Sequence, residues 1–262
     1  MDKMVILDLE TTGLNYSTDT IIEIGLIEFC VVGGTPYITN MYSGLEDPGF
    51  PLEPVISEVT HIHDEFLKDQ KIDWNLVRKY LLEAKVVIAH NAQFDSSFLA
   101  KRKELSDIFP HWACSMSHID WSSHGFKTRA LNYLAADMQF INPFAHRALF
   151  DCATTFKVIT PYLDELIKSS YESFNRIELT QTPYDLSNTF KSLGYRWDKM
   201  LRGWIKSCKA SNVLEESKKI EELQKTTPQI DIKIKKIPSL DDSFKSIQSG
   251  STLDDNYNQN VT

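Results

Sequence analysis

Three features of the sequence predict an α/β fold. Apolar runs of strand character cluster near the N-terminus. Helical periodicities begin after residue 73, and short apolar strands stand singly between them. The first strand is expected at Met4 to Leu9, the second at Ile21 to Val32 and a weaker third at Pro36 to Tyr42. Gly33-Gly34 separates the last two, as a hairpin requires. Asp73 to Glu83 places Trp74, Val77, Leu81 and Leu82 at helical spacing. Val86 to His90 (VVIAH) reads as a buried strand. FDSSFLAKRKEL, from Phe94, reads as a helix with Phe94 and Phe98 inward. TRALNYLAADM is a further helix with Thr128 as its cap, and RALFDCATTFKVITPYL is another that ends near Pro161. Together these elements predict one domain over residues 1–170.

Beyond it the composition changes. Residues 169–183 read as a polar connector. A small basic and aromatic module is expected over 184–225, and residues 239–262, rich in Ser, Asp, Asn and Gln, are expected to be disordered. Within the module, Phe190, Tyr195, Trp197 and Trp204 interleave with six basic residues between Lys191 and Lys209, against one acid, Asp198. Aromatic rings stack on bases and Lys or Arg meet phosphates, so Arg196, Lys199 and Arg202 are candidate nucleic-acid contacts. The alternative is a tiny domain whose tryptophans form its core beneath a solvated basic face.

A composition of 42% hydrophobic and 24% charged residues is that of an ordinary globular protein, and the net charge of -8 gives no support to a general DNA-coating role while leaving room for a nuclease whose acids hold metals. Cys30, Cys114, Cys152 and Cys208 are scattered, without a CxxC pair, and are read as reduced thiols. The N-terminus lacks a basic start followed by an apolar segment and a cleavage site. No run is long enough to span a bilayer, so a soluble cytoplasmic protein without a membrane partner is expected. His111, Cys114 and His118 in HWACSMSH lack a fourth ligand for zinc.

The chemistry-bearing residues are acids. Asp8 and Glu10, two apart on a strand, face the same way, an arrangement that a shared cation or proton stabilises. Asp95 in HNAQFD follows a short strand and opens a helix, with Asn91 nearby. Asp151 in HRALFD opens another helix, and His146 lies in the loop before it. Taken singly, Asp95 reads equally well as a helix cap, Asp151 as a first-turn acid and His146 as a solvated histidine. Taken together, four hard oxygen donors and one base suit Mg²⁺ or Mn²⁺. Two such ions activate water against a phosphodiester, and a histidine takes its proton.

DLETTGL (Asp8 to Leu14), HNAQFD (ending at Asp95) and HRALFD (His146 to Asp151) resemble, in order and separation, the three motifs of the DEDDh branch of the DnaQ-like 3'-5' exonucleases. Arg147 stands where the tyrosine branch carries its base, which places the chain with the histidine branch. The resemblance covers roughly residues 1–165. It implies a ribonuclease H-like fold, a mixed five-stranded sheet flanked by helices. It further implies that Asp8 bridges two Mg²⁺ or Mn²⁺ ions, Glu10 and Asp151 complete one site, and Asp95 holds the second ion. His146 would be the general base. Thr11 and Thr12 would contact the terminal nucleotide, Leu14 would wedge beside its base, and Asn91 would support Asp95. The Gly-Tyr-Arg-Trp element, Gly194 to Trp197, resembles the C-terminal region of exodeoxyribonuclease X-like proteins. The expected function is removal of nucleoside 5'-monophosphates from DNA 3' ends, with single-stranded DNA as the expected partner. An exoribonuclease, or a polymerase-associated binding or proofreading subunit with a protein partner, stands as the alternative.

Overall fold

The computed structural model describes residues 2–250, which form two compact units: residues 2–170 with 240–250, and 171–239. The first unit opens with β1 (Lys3–Thr11), β2 (Ile21–Val32) and β3 (Thr35–Leu45), followed by α1 (Pro54–Thr60), α2 (Asp64–Leu67) and α3 (Trp74–Glu83). Then come β4 (Ala84–Ala89), α4 (Ala92–Leu99), β5 (Trp112–Cys114), α5 (Ser115–His118), α6 (Leu131–Asp137), α7 (Ala148–Ile159) and α8 (Leu163–Ser170). The five strands form one sheet in the order β3-β2-β1-β4-β5. β1, β2 and β3 pair antiparallel, and β4 runs parallel to both β1 and β5, so the sheet is mixed.

The two faces of β1 feed two cores. Val5, Leu7 and Leu9 pack with Val77, Leu81, Phe98 and Leu99 from α3 and α4, while Met4 and Ile6 pack with Leu134, Cys152, Val158 and Leu166 from α6, α7 and α8. The alternation of a strand thus gives the unit its three layers. Asp73 caps α3 by accepting from the Leu76 N–H at 3.0 Å.

Several expectations are corrected. The helix expected from Phe94 through Leu105 ends at Leu99, because the chain turns there to bury Leu105 and Ile108. Thr128 is not the cap of the next helix. Ala130, extended at φ -69° and ψ 131°, holds that position, and the Thr128 hydroxyl accepts from its N–H in the preceding turn. The region read as a disordered tail contains α11 (Leu240–Gln248), with Phe244 and Ile247 buried against the first core. Phe244 lies 5.9 Å from the Trp112 ring. Three-residue spacing under a polar exterior hid this helix. The rest of that expectation falls on residues 251–262, outside the described residues.

Nor do residues 169–183 form a connector. They finish α8 and contain the whole of β6 (Phe174–Thr180), where Ile177 and Leu179 alternate with polar neighbours. β6 is followed by α9 (Ser187–Ser192), β7 (Arg196–Asp198), β8 (Gly203–Lys209), α10 (Val213–Gln224) and β9 (Asp231–Ile237). The second unit therefore spans 171–239 rather than 184–225, because the module needs β6 and β9 to complete its sheet. That sheet is antiparallel in the order β7-β8-β6-β9, a βαββαβ arrangement of the ferredoxin-like kind. Its own core joins Ile177, Leu179, Phe190, Tyr195, Trp204 and Ile220.

Within the first unit, His111 joins the two places where the chain leaves and returns. Its Nδ1 lies 2.8 Å from the Asp241 carboxylate on α11 and its Nε2 lies 2.9 Å from the Ser170 hydroxyl at the end of α8. Asp241 also accepts from the Trp112 N–H at 2.8 Å. Among the described residues no helix is long and apolar enough to cross a membrane. Phe244→Ala should destabilise the first unit by about 3–5 kcal/mol, the cost of emptying a buried aromatic site. Urea unfolding followed by hydrogen exchange at Trp112 to Cys114 tests this, and an unchanged midpoint would show α11 to be only loosely held.

Candidate active site

The site arises because β1 is longer than its parallel neighbour. Pairing with β4 stops at Ile6, whereas pairing with β2 continues to Thr11. Past Ile6 one edge of β1 is open, and the Leu9 backbone N–H there favours the charged form of Asp95, in the first turn of α4. On β1 itself, Asp8 and Glu10 continue the face begun by Met4 and Ile6. Asp95 is 2% exposed, and its Oδ1 is buried without a hydrogen-bond partner.

The opposite wall comes from α7. Asp8 is paired in register with Gly25 of β2, where an added Cβ would lie 2.4 Å from the Ala148 carbonyl carbon. A glycine is required there for α7 to descend onto the sheet beside Asp8. Asp151, in the first turn of α7, is buried. Its Oδ1 accepts from Asn142 Nδ2 and its Oδ2 from the His146 N–H, both at 2.8 Å. His146 is exposed and sits at φ +61°, a left-handed conformation that turns the loop into the helix. Ligand-type atoms of Glu10, His146 and Asp151 all lie within 4.8 Å of one another.

These acids share one electrostatic fate. Burial, then repulsion from Asp95, Glu10, Asp151 and Glu23, drives Asp8 well above the ordinary carboxylate range. Burial, with Asp151 and Glu23 next, pushes Glu10 up to about 8. Burial pushes Asp95 up to about 8 against the opposing backbone N–H of Leu9, and it raises Asp151 despite the His146 N–H. A divalent cation reverses this by supplying positive charge where the carboxylates converge. The donor set is oxygen with one imidazole, and the buried Asp95 Oδ1 has no hydrogen-bond partner, so the residues fit such an ion.

The Thr11 hydroxyl donates to the Gly13 carbonyl, and the Thr12 hydroxyl accepts from the Thr20 N–H at 3.0 Å, so both brace the β1–β2 turn. Leu14, within that turn, is 82% exposed. Asn91 stands at the N-terminus of α4 without a side-chain capping bond. Arg196, Lys199 and Arg202 are exposed on and around the β7–β8 hairpin of the second unit. Trp204 is buried there, whereas Trp197 is 47% exposed, its ring edge against Trp204.

Sequence reasoning missed Glu23, Gly25 and Asn142. Glu23 lies opposite Glu10 across the β1–β2 ladder, is 1% exposed, and accepts from the Ala148 N–H at 2.9 Å. An acid inside the otherwise apolar run IIEIGLI was its signal. Asn142 had none.

A mixed five-stranded sheet with acids gathered at one end of its central strand defines the ribonuclease H-like nucleases as a class. The family model described as "Exonuclease" matches residues 5–159, and the chain belongs to that family, the DnaQ-like 3'-5' exonucleases. The chain is 29% identical over 181 residues to a DNA polymerase III PolC-type from Caldanaerobacter subterraneus subsp. tengcongensis, covering 67% of this chain and only 12% of that protein. It is 28% identical over 180 residues to a DNA polymerase III subunit epsilon from Treponema pallidum, covering 65% of this chain and 81% of that one. A solved structure of a full-length 3'-exonuclease superposes with a TM-score of 0.51 at 16% identity, over 63% of this chain and 61% of that one, and shares its fold.

Metal-free protein should lose stability as pH rises from about 4 to about 8. Across that window the folded Glu10 and Asp95 keep protons that the unfolded chain has released. Asp95→Asn should flatten the slope and raise the melting temperature at pH 8 in chelator. Thermal melts at several pH values check this, and a pH-independent midpoint would remove the buried-carboxylate account.

Proposed function

We propose that this 3'-5' exonuclease releases nucleoside 5'-monophosphates from the 3' ends of single-stranded DNA, by hydrolysis at the Asp8, Glu10, Asp95 and Asp151 cluster with His146 as base. The observation that carries this reading is the convergence of Glu10, His146 and Asp151 within 4.8 Å, beside the partly buried Asp8 and the buried Asp95. Exonucleases of this family depend on divalent metal. Asp8, Glu10 and Asp151 would hold one Mg²⁺ or Mn²⁺, and Asp8 with Asp95 a second. When bound, such ions lower the pKa of water and offset charge on the phosphodiester.

The chain's own groups account for the rest. His146 is exposed at the site's mouth beside Glu10 and Asp151, where an imidazole nitrogen takes the proton from the attacking water. The bond from that water oxygen to phosphorus forms as the bond from phosphorus to the 3' oxygen breaks. The leaving oxygen is protonated from solvent, and His146 returns its proton to solvent. The hydrogen bond from the His146 N–H to Asp151 holds base and carboxylate in one turn. Thr11, Thr12 and Leu14 line the loop beside the strand end and would seat the terminal nucleotide, while Asn91 would stay behind Asp95. Arg196, Lys199, Arg202 and the exposed Trp197 of the second unit would engage the strand through its phosphates and bases. The DNA polymerase III relatives support DNA as substrate and leave room for a polymerase partner.

The test uses 5'-labelled single-stranded DNA and RNA, a 3'-blocked control and added Mg²⁺. A descending ladder on DNA is expected, absent with the block, with chelator and with Asp8→Ala. His146→Ala should slow turnover about 10²–10⁴-fold. Faster loss of RNA would reassign the substrate, and turnover by His146→Ala at the wild-type rate would reassign the base. Replacing Arg196, Lys199 and Arg202 together with Ala should weaken single-strand affinity and lower its salt dependence. Unchanged affinity would remove the second unit from substrate capture.

A further inference from the structure

The mechanism so far uses neither Glu23 nor Arg147. Glu23 is the most buried acid beside the site, at 1% exposure, and two acids directly opposite on antiparallel strands, as Glu10 and Glu23 are, repel. Arg147 answers that charge. Its Nη2 reaches Glu23 Oε1 at 2.9 Å and its Nε lies 3.2 Å from both Glu23 oxygens, a two-pronged grip. Glu23 Oε2 accepts at the same time from the Ala148 N–H at 2.9 Å. One carboxylate therefore ties down the two residues that immediately follow His146, at the entry to the helix that carries Asp151.

Arg147 is also near enough to Glu10 for each to feel the other's charge. A guanidinium so placed has two possible anionic partners. If it bound Glu10, it would occupy the oxygens that a cation needs and pull the His146 turn toward β1. The planar fork and permanent charge of arginine make it an effective competitor for a carboxylate.

We infer that Glu23 is a positioning residue that holds Arg147 away from Glu10, so that the Glu10 carboxylate stays free for a divalent cation and the His146 turn stays in place. This rests on the reading of Glu10 as a cation ligand. The pair carries no net charge, so removing both members leaves the local field close to that of the native protein, whereas removing Glu23 alone leaves a competing cation.

The experiment measures Mn²⁺ binding by calorimetry on the full chain without nucleic acid, alongside thermal melts that establish folding. Glu10→Gln is the control, and unchanged Mn²⁺ affinity in it would overturn the ligand reading itself. In Glu23→Gln, where the amide oxygen can still accept from Ala148, Mn²⁺ should bind at least tenfold more weakly. The double variant Glu23→Gln with Arg147→Gln should return to within about threefold of wild type. A purely structural pair would leave the double variant as weak as the single one. That result, or wild-type affinity in Glu23→Gln, overturns the inference. Should Glu23→Gln fail to melt cooperatively, Arg147→Gln decides: retained Mn²⁺ affinity supports a competing cation, and a tenfold loss refutes it.

Discussion

Mutual repulsion among Asp8, Glu10, Asp95 and Asp151, with Glu23 behind them, is the constraint around which the nuclease unit is built. Acids brought this close would scatter on an ordinary surface. Here three separate elements hold them: β1 carries two, α4 carries one and α7 carries one. Each element is anchored by apolar packing away from the charges, through Val5, Leu7 and Leu9 on one face and Cys152 and Val158 on the other. Burial of that apolar surface offsets the electrostatic cost of the cluster. The fold thus stores an unfavourable arrangement that favours a cation when one is present.

The sheet's geometry decides where this happens. β1 extends past β4, which leaves its edge open beside Asp95 instead of paired with a neighbouring strand. The lack of a side chain at Gly25 brings α7 down to the same level on the other side. A longer β4, or a side chain at position 25, would keep the same elements while separating the carboxylates. The hydrogen bonds from Asn142 and the His146 backbone then orient Asp151.

Much of this was legible in the residues. The strand period placed Asp8 and Glu10 together, and β2 runs from Ile21 to Val32 as its apolar run indicates, because continuous burial leaves little ambiguity. Where polar and apolar residues alternate, as in Phe174 to Thr180, the signal resembled a connector, and the central strand of the second unit was missed. Phe244 and Ile247 were hidden for a related reason, since two buried residues on a short helix are outweighed by their polar surroundings. Glu23 was visible as an oddity in an apolar strand, but its partner Arg147 lies far along the chain. Contacts of that kind are set by the fold and carry no local signature.

The second unit is inserted into the first between α8 and α11, and both ends of the insertion meet at one imidazole, His111. The nuclease unit therefore closes the loop itself, and the entropy of bringing Ser170 and Asp241 together is met by its own packing rather than by the insert. The inserted unit has its own four-stranded sheet and its own core. Such a chain is topologically prepared to exchange what lies between those ends. Because those two hydrogen bonds lie within the nuclease unit, they hold the ends of the insertion independently of what lies between them.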